Sequence, residues 1–385
     1  MTTLYLRKSL GRSLWALAVC LATLGLGLSA TADAPRRTFI TSTPQAPPQV
    51  RYMVIELGGR RANDISESGQ IVGNEQFPSG IRHAAFWPSS RSAPIDLGTL
   101  PGLGSVAESI NPRREIVGYA FNEDSSVERP LFWASANNAP VELPGLPAGL
   151  LSEVYDINPP GHIVGQFFSA DFSVEEAVFW PNSNAAPVYL RQLSDQFPHS
   201  AASGINPSGN ILGDGCDADF VECHAVFWTT STSTPVALAS PGGEFIYTDI
   251  DLPGHQINGA GNIVGHAYNA DFSADRAVFW ASSLSPAVVL STVGEFTNAF
   301  AAGISDNGQI VGTGYNEDFS KQRPFIWPNS TSQAIDLSTF FPSGSNWDLD
   351  SLFTVTVNNR GEIIGSGLFN DGTVHNFVMI PVHGH

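Results

Sequence analysis

Charged residues make up only 14% of this 385-residue chain, where about a quarter is usual. Basic residues are scarcest, 18 Lys and Arg against 36 Asp and Glu, for a formal net charge of −18. That balance repels nucleic acid and anionic membrane surfaces at long range and favours solubility, cations or a basic partner. Cysteine is nearly absent, with three residues in all. Also missing are a Gly-x-Ser-x-Gly elbow, a His-Glu-x-x-His pair and a phosphate-binding Gly loop, which removes the common linear signatures of catalysis. What is plentiful is Gly (37) and Pro (27), alongside 42% hydrophobic residues. The composition describes many short strands joined by tight turns, and neither a helical protein nor a disordered one.

The N-terminus reads as a signal peptide over residues 1–32. Arg7, Lys8 and Arg12 precede an apolar run from Leu14 to Leu28, and Ala30-Thr31-Ala32 supplies the small-x-small cleavage pattern. The run is short for a spanning helix and ends at the cleavage site, so secretion, to the periplasm or beyond the cell, is expected over a membrane anchor. Cleavage removes three basic residues and no acidic one, leaving a mature charge of −21. A Pro-rich arm, residues 33–50, follows.

One pattern then recurs, Ile-Asn-x-x-Gly-x-Ile-Val-Gly, with variations. It occupies Ile65–Gly73, Ile110–Gly118, Ile157–Gly165, Ile205–Gly213, Ile257–Gly265, Ile304–Gly312 and Val357–Gly365. Each copy is followed by an apolar strand ending in Trp87, Trp133, Trp180, Trp228, Trp280 or Trp327, and in the seventh by Met379; successive Trp residues stand 46 to 52 apart. The seven copies span about 51–92, 93–138, 139–185, 186–234, 235–285, 286–333 and 334–381, with a tail at 382–385. Each copy reads as four strands: one like Pro94–Leu97, one leading into Ile-Asn, the Ile-Val-Gly strand and the Trp strand. Asn-x-x-Gly is the signature of a type I turn closed by a left-handed Gly, so the second and third strands form a hairpin. Arg114 stands where that Gly belongs in the second copy and predicts a turn that is strained or differently shaped.

Seven four-stranded antiparallel units predict an all-β, seven-bladed β-propeller, with a β-solenoid as the alternative architecture. The copies run in one phase, leaving no obvious extra strand to close the ring; Arg37–Ser42 is the candidate. Asp96-Leu97-Gly98-Thr99-Leu100, the Ile-Asn-x-x-Gly-x-Ile-Val-Gly runs and His224-Ala225-Val226-Phe227-Trp228 resemble the extracellular HAF repeat family of bacteria, over roughly residues 51–380. Arg129, Glu176, Arg276 and Arg323 stand where that family has His. The resemblance implies an exported bacterial repeat protein and no particular activity.

Asn-x-Asp-Phe-Ser turns separate the last two strands of each copy, clearest at Asn269–Ser273 and Asn316–Ser320. Their Asp residues (Asp124, Asp171, Asp219, Asp271, Asp318, Asp371) are expected to pair with the Arg or His four places before the Trp position. They offer too few oxygens for a calcium loop, and no cofactor is implied. Cys216 and Cys223 flank the fourth of these turns and predict a disulfide across the hairpin. Copies five and seven are lengthened between the first and second strands, by Tyr247–His255 and Ser343–Leu352. Both insertions are expected on the face of the Asn-x-Asp turns, where Tyr247, Asp249, Asp251, His255, Trp347, Asp348 and Asp350 are the candidate ligand-binding residues, stacking on and hydrogen-bonding a sugar or cation. The expected function is a secreted, monomeric, non-catalytic binding module for a polysaccharide or protein. The alternatives are a purely structural repeat protein and a propeller glycan hydrolase or lyase. N-terminal sequencing of the exported protein should begin at Asp33; retention of Met1 would overturn the leader.

Overall fold

The computed structural model describes residues 51–57, 61–78, 80–250 and 255–382, so the leader, the Pro-rich arm and Arg37–Ser42 lie outside the described residues. Seven four-stranded antiparallel sheets stand in a ring, a seven-bladed β-propeller. Among the described residues the one helical segment is a single 3-10 turn, Leu337–Phe340, and no helix is long and apolar enough to cross a membrane.

In blade one the innermost strand is Arg61–Ile65, followed outward by Ile71–Gln76, Arg82–Trp87 and the short Ile95–Asp96. Blades two to six repeat this order, and the innermost strands of blades one to four pack in turn on one another, as do those of blades six, seven and one. The Pro94–Leu97 type of strand, which leads each sequence copy, therefore closes the preceding blade. The leading strand of the first copy has no earlier blade to close. Arg51–Glu56 instead pairs antiparallel with Val374–Val382 and becomes the outer strand of blade seven, from Arg51 opposite Val382 to Glu56 opposite Phe377. The two ends of the chain thus interlock without an additional strand, contrary to the sequence expectation.

The Trp residues lie in the cores between blades: Trp87, Trp133, Trp180, Trp228, Trp280 and Trp327 are all fully buried. Five indoles also donate Nε1–H to a carbonyl just past the outer strand of the preceding blade, as Trp133 does to Leu97 O at 2.8 Å and Trp280 to Ala239 O at 2.7 Å. The Gly of Ile-Val-Gly answers a close approach. The innermost strand bulges beside it in six blades, for example between Ala62 and Asp64. A Cβ on Gly73, Gly118 or Gly213 would meet a backbone oxygen of that strand at about 2.0 Å.

The Asn of Ile-Asn uses both ends of its amide. In blade four, Asn206 Oδ1 accepts from Ser208 N and Asn210 N, closing its own turn, while Nδ2 donates to Asn258 O of blade five. Asn111, Asn158, Asn258 and Asn358 make the same inter-blade bond, and Asn358 reaches Ser66 O across the closure. Arg114, at φ 66, adopts the left-handed conformation that Gly supplies in the other six turns, as the sequence predicts.

Ser already occupies the Asn position at Ser66 and Ser305, where its hydroxyl accepts from Gln70 N and Gln309 N. Asn206→Ser should therefore keep the turn and lose only the bridge, costing about 1 kcal/mol, and Asn206→Ala should cost roughly twice that. Urea unfolding checks the order; equal losses would refute the division of roles.

Candidate functional site

Alternating strand direction sends the Asn-x-Asp turns and the loops entering each innermost strand to one end of the ring. Each turn is closed from within. Asp171 Oδ1 accepts from Ser169 Oγ, Ser173 N and Ser173 Oγ, and these bonds hold its pKa down to about 2. Asp124, Asp271, Asp318 and Asp371 are likewise held below the ordinary carboxylate range, first by the Ser or Thr two residues on. These carboxylates are exposed and ionised. They do not form the expected pairs with Arg or His, because their bonds are taken inside the turn. The basic residues of the Trp strands turn instead to the acid of the neighbouring outer strand: His83 to Asp96 and His375 to Glu56, both at 3.0 Å, with Arg129 and Arg323 3.8 Å from Glu142 and Asp336.

The residue after each Asp has a left-handed backbone. It is Gly372 in blade seven and Ser125 in blade two, but Phe172, Phe220, Phe272 and Phe319 in blades three to six, with φ between 53 and 59. Each Phe lies against an aromatic of its own hairpin or the adjacent strand: Phe168, His199, Tyr268 and Tyr315, at centroid distances of 5.5, 4.2, 5.2 and 5.7 Å. Phe172 and Phe319 remain 39% and 40% exposed. In the fourth hairpin the Cys216–Cys223 disulfide forms as expected, joining directly opposed residues.

The copy-seven insertion does lie at this end. Asp348 N donates to Leu368 O and Asn370 N to Asn346 O, folding the insertion over its hairpin. Trp347, however, is 8% exposed and surrounded edge-on by Phe341, Phe369 and Phe377, so its ring is core rather than platform. Asp348 caps Asp350 N, and Asp350 pairs with Arg323 at 2.5 Å.

The copy-five insertion goes elsewhere. Phe245–Asp249 is already the innermost strand of blade five, with Tyr247 opposite Tyr268 and Asp249 opposite His266. The strand ends at Asp249, next to the point where other blades carry the bulge, and pairing resumes at Ile257 opposite Ile263, while residues 251–254 lie outside the described residues. An interrupted ladder accepts an insertion at least cost, which is why the lengthening falls inside the strand and not before it. Asp249 is buried and accepts from Ile250 N; Asp251 lies outside the described residues. His255 reaches the far end of the ring, where its Nε2 is 3.4 Å from Asp64 Oδ1 of blade one and its carbonyl accepts from Ile304 N. The two insertions therefore serve opposite ends, and the candidate residues do not converge.

Sequence reading missed the buried acids of blades two and three. Glu108 and Glu128 of blade two are buried, 6% and 7% exposed, and each has a carboxylate oxygen, Oε2, without a hydrogen-bond partner. Glu153 of blade three has its carboxylate accepting from Tyr155 OH and from Gln166 Nε2 at 3.2 Å. Burial, then Glu153, pushes Glu128 up to about 9 against a hydrogen bond from Ser125; burial pushes Glu108 up to about 7, with Arg61 opposing and Glu153 and Asp64 adding. One signal was available. The residue after each Ile-Val-Gly is Asn74, Tyr119, Gln166, Asp214, His266, Thr313 or Ser366, polar in all seven copies although it lies in a strand of the core. Among the described residues, no three His, Cys, Asp or Glu are grouped to hold a metal ion.

No family model matches the chain, and no curated protein matches it either. Solved structures do. An oligogalacturonate lyase in complex with manganese superposes with a TM-score of 0.59 at 8% identity, covering 91% of this chain and 99% of that one. An oligogalacturonate lyase from Vibrio parahaemolyticus gives 0.51 at 8% identity, covering 91% and 98%. At such identities the likeness is one of fold.

Burial alone would lower the His255 pKa, but Asp64, Asp156, Glu67 and Asp306 together raise it above the ordinary value. A raised imidazole pKa adds stability that is complete below its unfolded value and is lost as pH rises through the folded one. His255→Gln should therefore cost more stability at pH 6 than at pH 9. Equal costs at the two pH values would show that the imidazolium does not matter. Across the described chain, these features establish a repeat propeller with one disulfide.

Proposed function

We propose that the protein is an exported, non-catalytic binding module of the HAF repeat type, presenting the Asn-x-Asp face to an extracellular polysaccharide. The observation that carries this reading is the Phe in four successive left-handed positions. A bulky residue there costs about 1 kcal/mol or more relative to Gly, and Gly372 fills the same place in blade seven. Stacking on Phe168 or Tyr268, and tilted contact with Tyr315, offsets part of that cost and fixes one side of each ring, leaving the rest toward solvent at Phe172 and Phe319. Beside each Phe stands an Asp; at Asp171, Asp271 and Asp318 it is ionised and exposed. An aromatic face with a neighbouring acceptor is the chemistry that holds a pyranose, the ring on its C–H face and the carboxylate on its hydroxyls. Repetition on adjacent blades suits a polymer, because weak sites on one rigid scaffold reinforce one another.

Replacing Phe172, Phe220, Phe272 and Phe319 together with Gly relieves the backbone strain, so the melting temperature should hold or rise. Retardation in native gels cast with the bound polysaccharide should disappear. The reading fails if no polysaccharide in a broad panel retards the wild type, or if the variant is retarded equally. Release of soluble oligosaccharide would favour the hydrolase or lyase alternative.

A further inference from the structure

Six of the seven blades place His or Arg four residues before the Trp position; blade three places Glu176 there. The strand register fixes what stands beside that residue. In four blades the outer strand offers an acid, Asp96, Glu142, Asp336 or Glu56, and the His or Arg contacts it. In blades four and five the same place is Ala237 and Val289, and the basic side chain finds other acceptors, Glu222 for His224 and Thr297 O for Arg276. In blade three it is Tyr189, and Glu176 makes no hydrogen bond or ion pair among the described residues. Nor does the fold require a charge there. Arg276 donates to the carbonyl just before the next innermost strand, Thr297 O at 3.0 Å; in blade three Gln192 Nε2 does this for Pro198 O at 2.7 Å.

Half-buried Glu176 lines a pocket of about 430 Å³ between blades three and four, within the size range of small-molecule sites. Ser200, also lining it, is 2% exposed and committed to the fold, its Oγ accepting from Ala177 N. Arg191 and Asp195 line the same pocket; both are exposed, and neither side chain has a hydrogen bond or ion pair among the described residues. The pocket thus holds two carboxylates and one guanidinium, and none of the three pairs with another. We propose that it binds a free basic amino acid, arginine being the best match, with the side-chain guanidinium on Glu176, the α-ammonium on Asp195 and the α-carboxylate on Arg191. Two cations and one anion on the ligand complement two anions and one cation on the protein. The ligand's guanidinium restores in blade three the pairing that blades two and six make from within, Arg129 with Glu142 and Arg323 with Asp336. The site goes beyond the polysaccharide reading and does not rest on it, since replacing the four Phe leaves all three side chains in place.

Titration calorimetry of the full mature chain with L-arginine tests the proposal, with citrulline and agmatine as paired controls. Citrulline keeps the shape of arginine without the side-chain charge, and agmatine keeps the guanidinium without the carboxylate. Arginine should bind, and each control should bind about fivefold or more weakly. Glu176→Gln should weaken arginine and agmatine by the same factor. Arg191→Gln should weaken arginine alone and leave agmatine unchanged or tighter. Neither side chain is paired in the fold, so both variants should melt with the wild type. Absence of arginine binding to the wild type overturns the proposal. So does citrulline or agmatine binding as tightly as arginine, or an arginine affinity unchanged in either variant.

Discussion

Each blade's hydrogen-bond ladder stops at the blade's own edges, so a propeller must be held together by something other than its sheets. Here that link is a buried side-chain amide. In five of the seven blades an Asn in the turn after the innermost strand accepts its own turn's N–H groups and donates to the backbone of the next blade. No other small side chain does both: Asp has no donor, and Ser can cap but cannot reach. Where Ser replaces Asn, other groups fill in. Asn63 Nδ2 donates to Ala107 O between blades one and two. Between blades six and seven, Asn359 joins Asp306 N through its Oδ1 and Asp306 Oδ2 through its Nδ2. Packing of the Trp residues supplies bulk cohesion, while the Asn bonds set the angular register that lets the seventh blade meet the first.

The same logic governs the channel. Innermost strands present an open edge toward the axis, and unpaired N–H groups there would be costly. Asp64 accepts from Ile110 N, Asp156 from Ile205 N, and the His255 carbonyl from Ile304 N, each reaching one blade forward. Ser109 Oγ lies within reach of both Asp64 and Asp156 and ties the two carboxylates into one network. The copy-five insertion thus completes a capping scheme that blades one and three achieve with a side chain. Its imidazole then offsets the negative charge this scheme accumulates at one end of the channel.

Much of this was legible in the sequence because it repeats. Ile-Val-Gly, Asn-x-x-Gly and the Trp strand announced four strands, their turns and seven copies, and of the two outcomes open at Arg114, a strained or a differently shaped turn, the structure shows the left-handed, strained one. Closure was harder to see because a sequence copy begins on an outer strand whereas a blade begins on an inner one, so the strand that interlocks the ring looked like an ordinary member of copy one. The copy-five insertion was misplaced for a related reason: periodicity cannot tell a longer loop from a strand interrupted at its bulge. Trp347 resembled a surface platform by its isolation in a polar stretch. Only the fold reveals that Phe341, Phe369 and Phe377 enclose it.

Positions that escape the repeat differ in what they imply. At the turn tips the backbone is the same in every copy and the side chain departs from the cheapest choice, Phe where Gly would fit without strain. A local rule broken repeatedly at one geometric position marks a requirement other than folding. In the second strand of each blade the reverse holds. The residue after Ile-Val-Gly is polar in all seven copies but different in each, so the fold demands a hydrogen-bonding group there without dictating which one. Blades two and three fill that freedom with Tyr119 and Gln166, although Thr313 and Ser366 show that small hydroxyls satisfy the same place. Since the fold is content with any hydrogen-bonding group there, variation at this position needs no reason beyond folding, whereas the repeated Phe at the turn tips does.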